Sequence, residues 1–184
     1  SVMYTLFTNV LNVDPKNENY FNRDRVILSS AGLAPLYYAM CHMAGYNLNK
    51  EDLMNYRRCH SNTPGTPERQ NPSFMEATTG VAGDGVGISV GLSLGRRYLE
   101  ALIKEEDNRL NLLDFTTYCF VSDADLMSGT ALEAFSFAGS QNLNHLVFLY
   151  DCNRMGMEGS LSSVFDENLE KSFEAKGFYV DTIK

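Results

Sequence analysis

Short apolar runs alternate along this chain with longer segments of helical periodicity. Val26-Ile27-Leu28, Tyr118-Cys119-Phe120-Val121, Leu146-Val147-Phe148-Leu149-Tyr150 and Phe178-Tyr179-Val180 are brief, rich in β-branched and aromatic residues, and bounded by polar ones. That pattern predicts strands of a buried parallel sheet, because covering both faces removes the polar alternation of a half-exposed strand. Elsewhere the apolar positions fall at helical spacing. Val2, Met3, Leu6, Phe7, Val10 and Leu11 precede Asp14-Pro15, and Leu36, Ala39, Met40 and Met43 precede Gly45. Val86 to Lys104, Gly129 to Leu143, and a last helix from a Ser163 cap through Ala175 to Gly177 complete the set. Pro35 suits a helix start, and Asn49 ahead of Glu51-Asp52 predicts a capped helix from Glu51 to Arg58. The alternation predicts an α/β fold: one Rossmann-like domain over residues 1–184, a mainly parallel sheet with helices on both faces.

The apolar runs also place polar residues. The second ends in Ser122-Asp123-Ala124-Asp125 and the third in Asp151-Cys152-Asn153, with a helical segment between them. In such a βαβ unit the crossover is right-handed and both strands finish at one edge of the sheet, so Asp123 and Asn153 are expected to converge on a crevice there. Two oxygen ligands at that place suit Mg²⁺ carrying a diphosphate, since Mg²⁺ is held by one or two protein oxygens plus phosphate oxygens and water. Without a ligand, both are ordinary polar residues at strand ends. Glu76 to Gly85 is glycine-rich and opens a helix, which lets backbone amides approach a ligand, although close helix packing explains the glycines as well. Cys59 to Thr79 is a long polar loop, a kind usually kept for function. No Gly-x-Gly-x-x-Gly follows the first strand, which argues against a nicotinamide-binding domain.

Composition narrows the partners. A net charge of −8 with no basic run argues against nucleic acid or an anionic membrane surface, and no apolar run reaches membrane-spanning length. Cys41, Cys59, Cys119 and Cys152 stand apart with no Cys-x-x-Cys pair, so buried reduced thiols and a cytoplasmic compartment are expected, not disulfides or zinc. His42 reads as a structural helix residue and His60 as a solvated loop residue. Ser1 already lies within an apolar-periodic helix, which suggests that the sequence lacks a native beginning.

Several stretches resemble one family, the transketolases among the thiamine diphosphate enzymes. The family's metal motif is Gly-Asp-Gly and, further on, Asn; here it stands as Ser122-Asp123-Ala124 and Asn153. Leu132-Glu133-Ala134-Phe135-Ser136-Phe137-Ala138-Gly139, Leu143 to Asp151, and Ser172-Phe173-Glu174-Ala175-Lys176-Gly177 resemble transketolase more specifically, and the likeness runs over essentially the whole chain. It implies Mg²⁺ held by Asp123, Asn153 and the Met155 carbonyl, and thiamine diphosphate bound through Gly80, Ala82, Asp123, Ala124 and Asn153. It also implies two-carbon ketol transfer between sugar phosphates in the pentose phosphate pathway, in a dimer.

The departures from the family bear on chemistry. Gly32 and Thr66 stand where transketolases carry active-site histidines, Ser128 replaces the glutamate of Met-Glu-Gly, and Ala124 replaces a diphosphate-facing glycine. If that glycine position has positive φ, the added methyl costs about 1 to 2 kcal/mol. The glutamate that activates the cofactor comes from a second domain across a subunit interface. No catalytic residue is therefore assigned to this chain, and its expected partner is a second copy in a homodimer or a chain carrying the pyrimidine-binding domain. The expectation is a chain that folds, binds thiamine diphosphate with Mg²⁺ weakly or not at all, and does not catalyse alone. The alternative is a degenerate domain, a pseudoenzyme kept for structure or protein interaction.

Overall fold

A computed structural model describes residues 2–106, 112–156, 159–160 and 164–183. Three parallel strands, β1 (Arg25–Leu28), β2 (Thr117–Ser122) and β3 (Leu146–Asp151), lie in the order β1-β2-β3. Helix α1 (Val2–Thr5) runs into a π-helical turn at Leu6–Val10, and α2 (Ala34–Ala44), α3 (Lys50–Met54) and α4 (Asp84–Glu106) follow in the chain. After β2 come the short α5 (Asp123–Leu126) and α6 (Gly129–Ser140). After β3 the small antiparallel pair β4 (Met155–Gly156) and β5 (Gly159–Ser160) precedes α7 (Leu169–Ala175).

Alternation along the strands builds two cores, as the period of two demands. Val26, Leu28 and Phe120 face a core with Met3, Leu6, Tyr37, Tyr38, Met40 and Cys41 from α1, its turn and α2. Ile27, Cys119 and Val121 face the opposite core with Val86 of α4 and Ala131 and Phe135 of α6. Helices therefore lie on both faces, which accounts for the nearly unbroken apolar runs of β1 and β2, while β3 is half-buried along most of its length. Phe135 is fully buried, with ring centroids 4.7 Å from Phe148 and 4.9 Å from Phe173. Burying one such ring contributes roughly 1.5 to 3 kcal/mol.

The expected fourth strand, Phe178–Val180, is not one. The Phe178 N–H donates to the Phe173 carbonyl at 3.1 Å and the Gly177 N–H to Glu174 at 2.9 Å, so this backbone closes α7 and makes no strand pairing. The Phe178 ring packs edge-on against Phe135, Phe148 and Phe173, while Tyr179 is 92% exposed. One anchoring ring, not a strand, accounts for that apolar run.

The Asn49 cap is present as a capping box with Asp52. The helix it starts ends at Met54, short of Arg58. Arg57 adopts φ 63° and its N–H goes to Thr63 O, while Thr63 Oγ1 donates to Asp52 O at 2.6 Å. The following loop thus captures the backbone groups that further helix would use. The expected Ser163 cap lies outside the described residues, and α7 is capped by Asn168, whose side chain accepts from the Lys171 N–H at 3.1 Å. Cys41 and Cys119 are buried free thiols as expected, whereas Cys59 and Cys152 are free but exposed. His42 Nδ1 lies 2.6 Å from Leu48 O, a structural contact between α2 and the loop that follows it, and His60 is exposed. Among the described residues, no helix is long and apolar enough to cross a membrane.

Candidate functional site

The three strands are parallel, so Ser29, Asp123 and Asn153 all emerge at one edge of the sheet. Ser122 pairs in register with Asp151, which puts Asp123 and Asn153 immediately beyond adjacent strand ends. β4, carrying Met155, lies against α5, which starts at Asp123. The segments that carry Asp123, Asn153 and Met155 are thus neighbours at this edge.

Asp123 is 3% exposed. Its Oδ1 accepts the Tyr150 phenol at 2.5 Å, and its Oδ2 has no partner among the described residues. Burial, then the carboxylate beside it, pushes the Tyr150 phenol well above the usual tyrosine range and keeps it a proton donor. A buried carboxylate oxygen without a hydrogen bond is costly and is offset by a cation. Asn153 is exposed, and its amide oxygen, expected as a metal ligand, accepts from the Met155 N–H at 2.9 Å. No group of three or more His, Cys, Asp or Glu side chains converges among the described residues. The oxygens expected to hold a metal, those of Asp123, Asn153 and Met155, are one carboxylate, one amide and one backbone carbonyl. Such hard donors fit Mg²⁺ sharing its shell with phosphate oxygens, and do not fit zinc.

Asp125, which the sequence reading left without a role, ties the edge together. It is 1% exposed and its carboxylate is fully engaged. Oδ1 accepts from Ser29 Oγ at 2.5 Å and from the Gly83 N–H at 2.8 Å, while Oδ2 accepts from the Ser122 N–H at 2.8 Å and its hydroxyl at 3.0 Å. One side chain thereby joins the ends of β1 and β2 to the glycine-rich turn ahead of α4. The Ser122-x-x-Asp125 spacing is a capping box, a signal legible in the sequence.

Gly83 has φ 90°, and a Cβ there would lie 2.6 Å from Ser128 Oγ, so only glycine brings this turn against the start of α6. Gly85 approaches β1 as closely: its Cβ would lie 2.5 Å from Ser29 Cα. Gly80, Ala82 and Ala124 are all exposed at this edge. Ala124 corrects an expectation. It sits in α5 with right-handed backbone, so its methyl carries no positive-φ strain.

The substituted positions are also placed. A Cβ at Gly32 would have only Ser30 Oγ near it, at 3.8 Å, so open space stands where the resemblance puts a histidine. Thr66 lies against Gly80, its Cγ2 3.3 Å from that residue's would-be Cβ. Ser128 Oγ is 2.8 Å from Thr130 Oγ1. Glu76 is paired with Arg23 and lies 3.7 Å from Arg25.

Comparison with known proteins follows the same line. A family model described as the thiamine diphosphate binding domain of transketolase matches residues 1–184. The chain is 40% identical over 177 residues to a transketolase of Bacillus subtilis, covering 96% of this chain and 26% of that protein. It is 42% identical over 175 residues to a transketolase of Staphylococcus aureus, covering 95% and 26%. The solved transketolase from Leishmania mexicana matches with a TM-score of 0.91 at 38% identity, over 95% of this chain and 26% of that one. The chain spans about a quarter of the length of these relatives.

Proposed function

This chain belongs to the transketolase thiamine diphosphate-binding domain family, and on that premise we propose that it contributes the diphosphate- and Mg²⁺-holding part of a two-carbon ketol transfer between sugar phosphates, without catalysing that transfer alone. The observation that carries the reading is the buried, unpaired Oδ2 of Asp123 at the sheet edge. Asp123, Asn153 and the Met155 carbonyl would hold the metal, with Gly80, Ala82 and Ala124 along the diphosphate. When bound, thiamine diphosphate supplies an electron sink for breaking and making a carbon–carbon bond. The chain's own residues bind and orient. Tyr150 fixes one oxygen of Asp123 and leaves the other for a cation, while Asp125 holds the glycine-rich turn against the strand ends.

Proton transfer is assigned to no residue here, because glycine and threonine at positions 32 and 66 lack a group that titrates near neutrality. The activating glutamate is expected from a partner, either a second copy or a chain with the pyrimidine-binding domain. The setting that goes with this reading is the cytoplasmic pentose phosphate pathway.

The open space at Gly32 and the pairing of Ser128 with Thr130 favour a second reading: a pseudoenzyme domain retained for structure or protein contacts. Calorimetric titration of the chain with thiamine diphosphate and Mg²⁺ separates the two. The expected result is binding weaker than micromolar, which corresponds to about −8 kcal/mol, and lost in Asp123→Ala. No detectable heat from a folded chain favours the second reading, and binding that survives Asp123→Ala overturns the site.

A further inference from the structure

At the opposite edge of the sheet, α4 and the loop between α6 and β3 line an open surface cavity of about 270 Å³. Its walls carry Arg96, Arg97 and Glu100 from α4 and Asn142, Asn144 and His145 from the loop. His145 directly precedes β3, and its carbonyl accepts from the Thr117 N–H at the start of β2. Six-residue strands put this edge roughly 20 Å from the Asp123 edge. The cavity is a separate place.

Its charge runs against that of the molecule. The chain carries −8, so two guanidinium groups on one wall are a local reversal. Glu100 offsets part of it, lying 3.4 Å from Arg96 Nη1 and accepting Lys104 Nζ at 2.7 Å. Arg96 is 5% exposed; its Nη2 donates to Leu113 O at 2.6 Å, and its Nε has no acceptor among the described residues. Arg97 Nη1 donates to Gln141 O, which ties the helix wall to the loop wall.

The loop backbone is pinned while its side chains are uncommitted. Leu143 N–H donates to Ala138 O at 3.2 Å and Asn144 N–H to Asn142 O at 2.9 Å, with Asn142 at φ 50°. The side chains of Asn142, Asn144 and His145 make no hydrogen bond with the described residues. A pinned backbone removes the cost of ordering the loop when a ligand arrives and leaves only that of the side chains.

We propose that this cavity binds a small phosphate-type oxyanion, free or as a small phosphate ester, through Arg97, the amides of Asn142 and Asn144, and His145. An oxyanion offers several acceptors in different directions, which matches donors standing on two walls. The proposal does not depend on the cofactor reading at the other edge.

His145 supplies the readout. Burial and then Arg96 hold its pKa below the ordinary value, against the opposing pull of Asp114 and Glu100. An anion in the cavity favours the imidazolium and raises that pKa. The chain has three histidines, so their ring signals are separable by NMR. Inorganic phosphate titrated in Mg²⁺-free buffer at constant ionic strength is expected to shift the His145 signals saturably and move their midpoint upward, leaving His42 and His60 in place. Arg97→Gln, on an exposed side chain, is expected to weaken this about tenfold, and Asp123→Ala to leave it unchanged. Glycerol phosphate binding more tightly than inorganic phosphate assigns an ester, and the reverse assigns the free ion. Equal response to acetate, equal shifts at all three histidines, or an Arg97→Gln chain that still binds normally overturns the proposal.

Discussion

Tyr150 donates its phenol proton to Asp123 Oδ1 at 2.5 Å, and that is the sole hydrogen bond the buried carboxylate has among the described residues. Removing it leaves a buried charge with no partner. Tyr150→Phe is expected to destabilise the chain by about 1.5 to 3 kcal/mol, the range for a hydrogen bond to a charged group. A double-mutant cycle with Asp123→Ala, which removes the acceptor, followed by urea unfolding, is expected to show a coupling of about 0.5 kcal/mol or more. Strict additivity would mean that the two side chains do not interact.

Asp123→Asn carries opposite expectations for stability and binding. It keeps an acceptor for Tyr150 but replaces an unpaired buried charge with a neutral amide, which costs less to bury. The unliganded variant is expected to unfold about 1 kcal/mol later than the parent, while any rise in Tm on adding Mg²⁺ and thiamine diphosphate disappears. A variant that loses stability and still responds to the ligand contradicts a cation-binding role for this carboxylate.

Asp125→Asn tests the clamp between the strand ends and the glycine-rich turn. An amide cannot accept on both sides, so its NH₂ group must face either the Gly83 N–H and Ser29 or the Ser122 N–H. The expected loss is about 2 to 4 kcal/mol, because a donor is left unsatisfied in a buried place. Faster amide hydrogen exchange at Gly83 and Ser122 is the local signature, and unchanged protection there rules the clamp out.

Alkaline pH is expected to unfold the chain through its buried acids. Burial raises the Cys119 thiol from 9.0 to about 12 and pushes Cys41 higher still, and Tyr37, Tyr38 and Tyr46 are raised from 10.0 for the same first cause. Raised folded values mean that the unfolded chain loses these protons first. The stability they contribute is therefore intact below pH 9 and falls as pH rises toward the folded values. Each thiol adds a slope of about 1.4 kcal/mol per pH unit in that window. Urea midpoints measured from pH 8 to 10.5 are expected to fall, and Cys119→Ala to fall less steeply. A flat profile would show that the thiols are not buried as described.

The strand and helix order was legible in the sequence for a local reason. Burial on both faces writes an unbroken apolar run, and a helix over a core writes its period, so β1, β2, β3, α2, α4 and α6 all show themselves. Asn49 and Pro35 announced their helices through side chains that act within a turn. The placement of Asp123 and Asn153 beyond adjacent strand ends followed from the pairing of β2 with β3, which a βαβ pattern already implies. The run at Phe178 misled because a ring anchored in a core and a strand both look apolar, and only hydrogen-bond partners separate them.

Tertiary structure decided what depends on partners distant in sequence. Whether Asp123 keeps an unpaired oxygen rests on Tyr150, 27 positions away and outwardly one more aromatic residue of a strand. Asp125 was visible as a helix cap, but its bonds to Ser29 and Gly83 arise only when β1 and the glycine-rich turn fold against it. The strain assigned to Ala124 vanished because backbone φ belongs to the folded segment, here a helix, and not to the residue that a family places there. The sequence by itself determined which elements form and which edge of the sheet carries the polar residues, since both follow from neighbours along the chain. The partners of each polar atom, and the cationic cavity at the other edge, were decided by packing, because a hydrogen bond or a cavity wall joins residues whose separation in sequence says nothing of their separation in space.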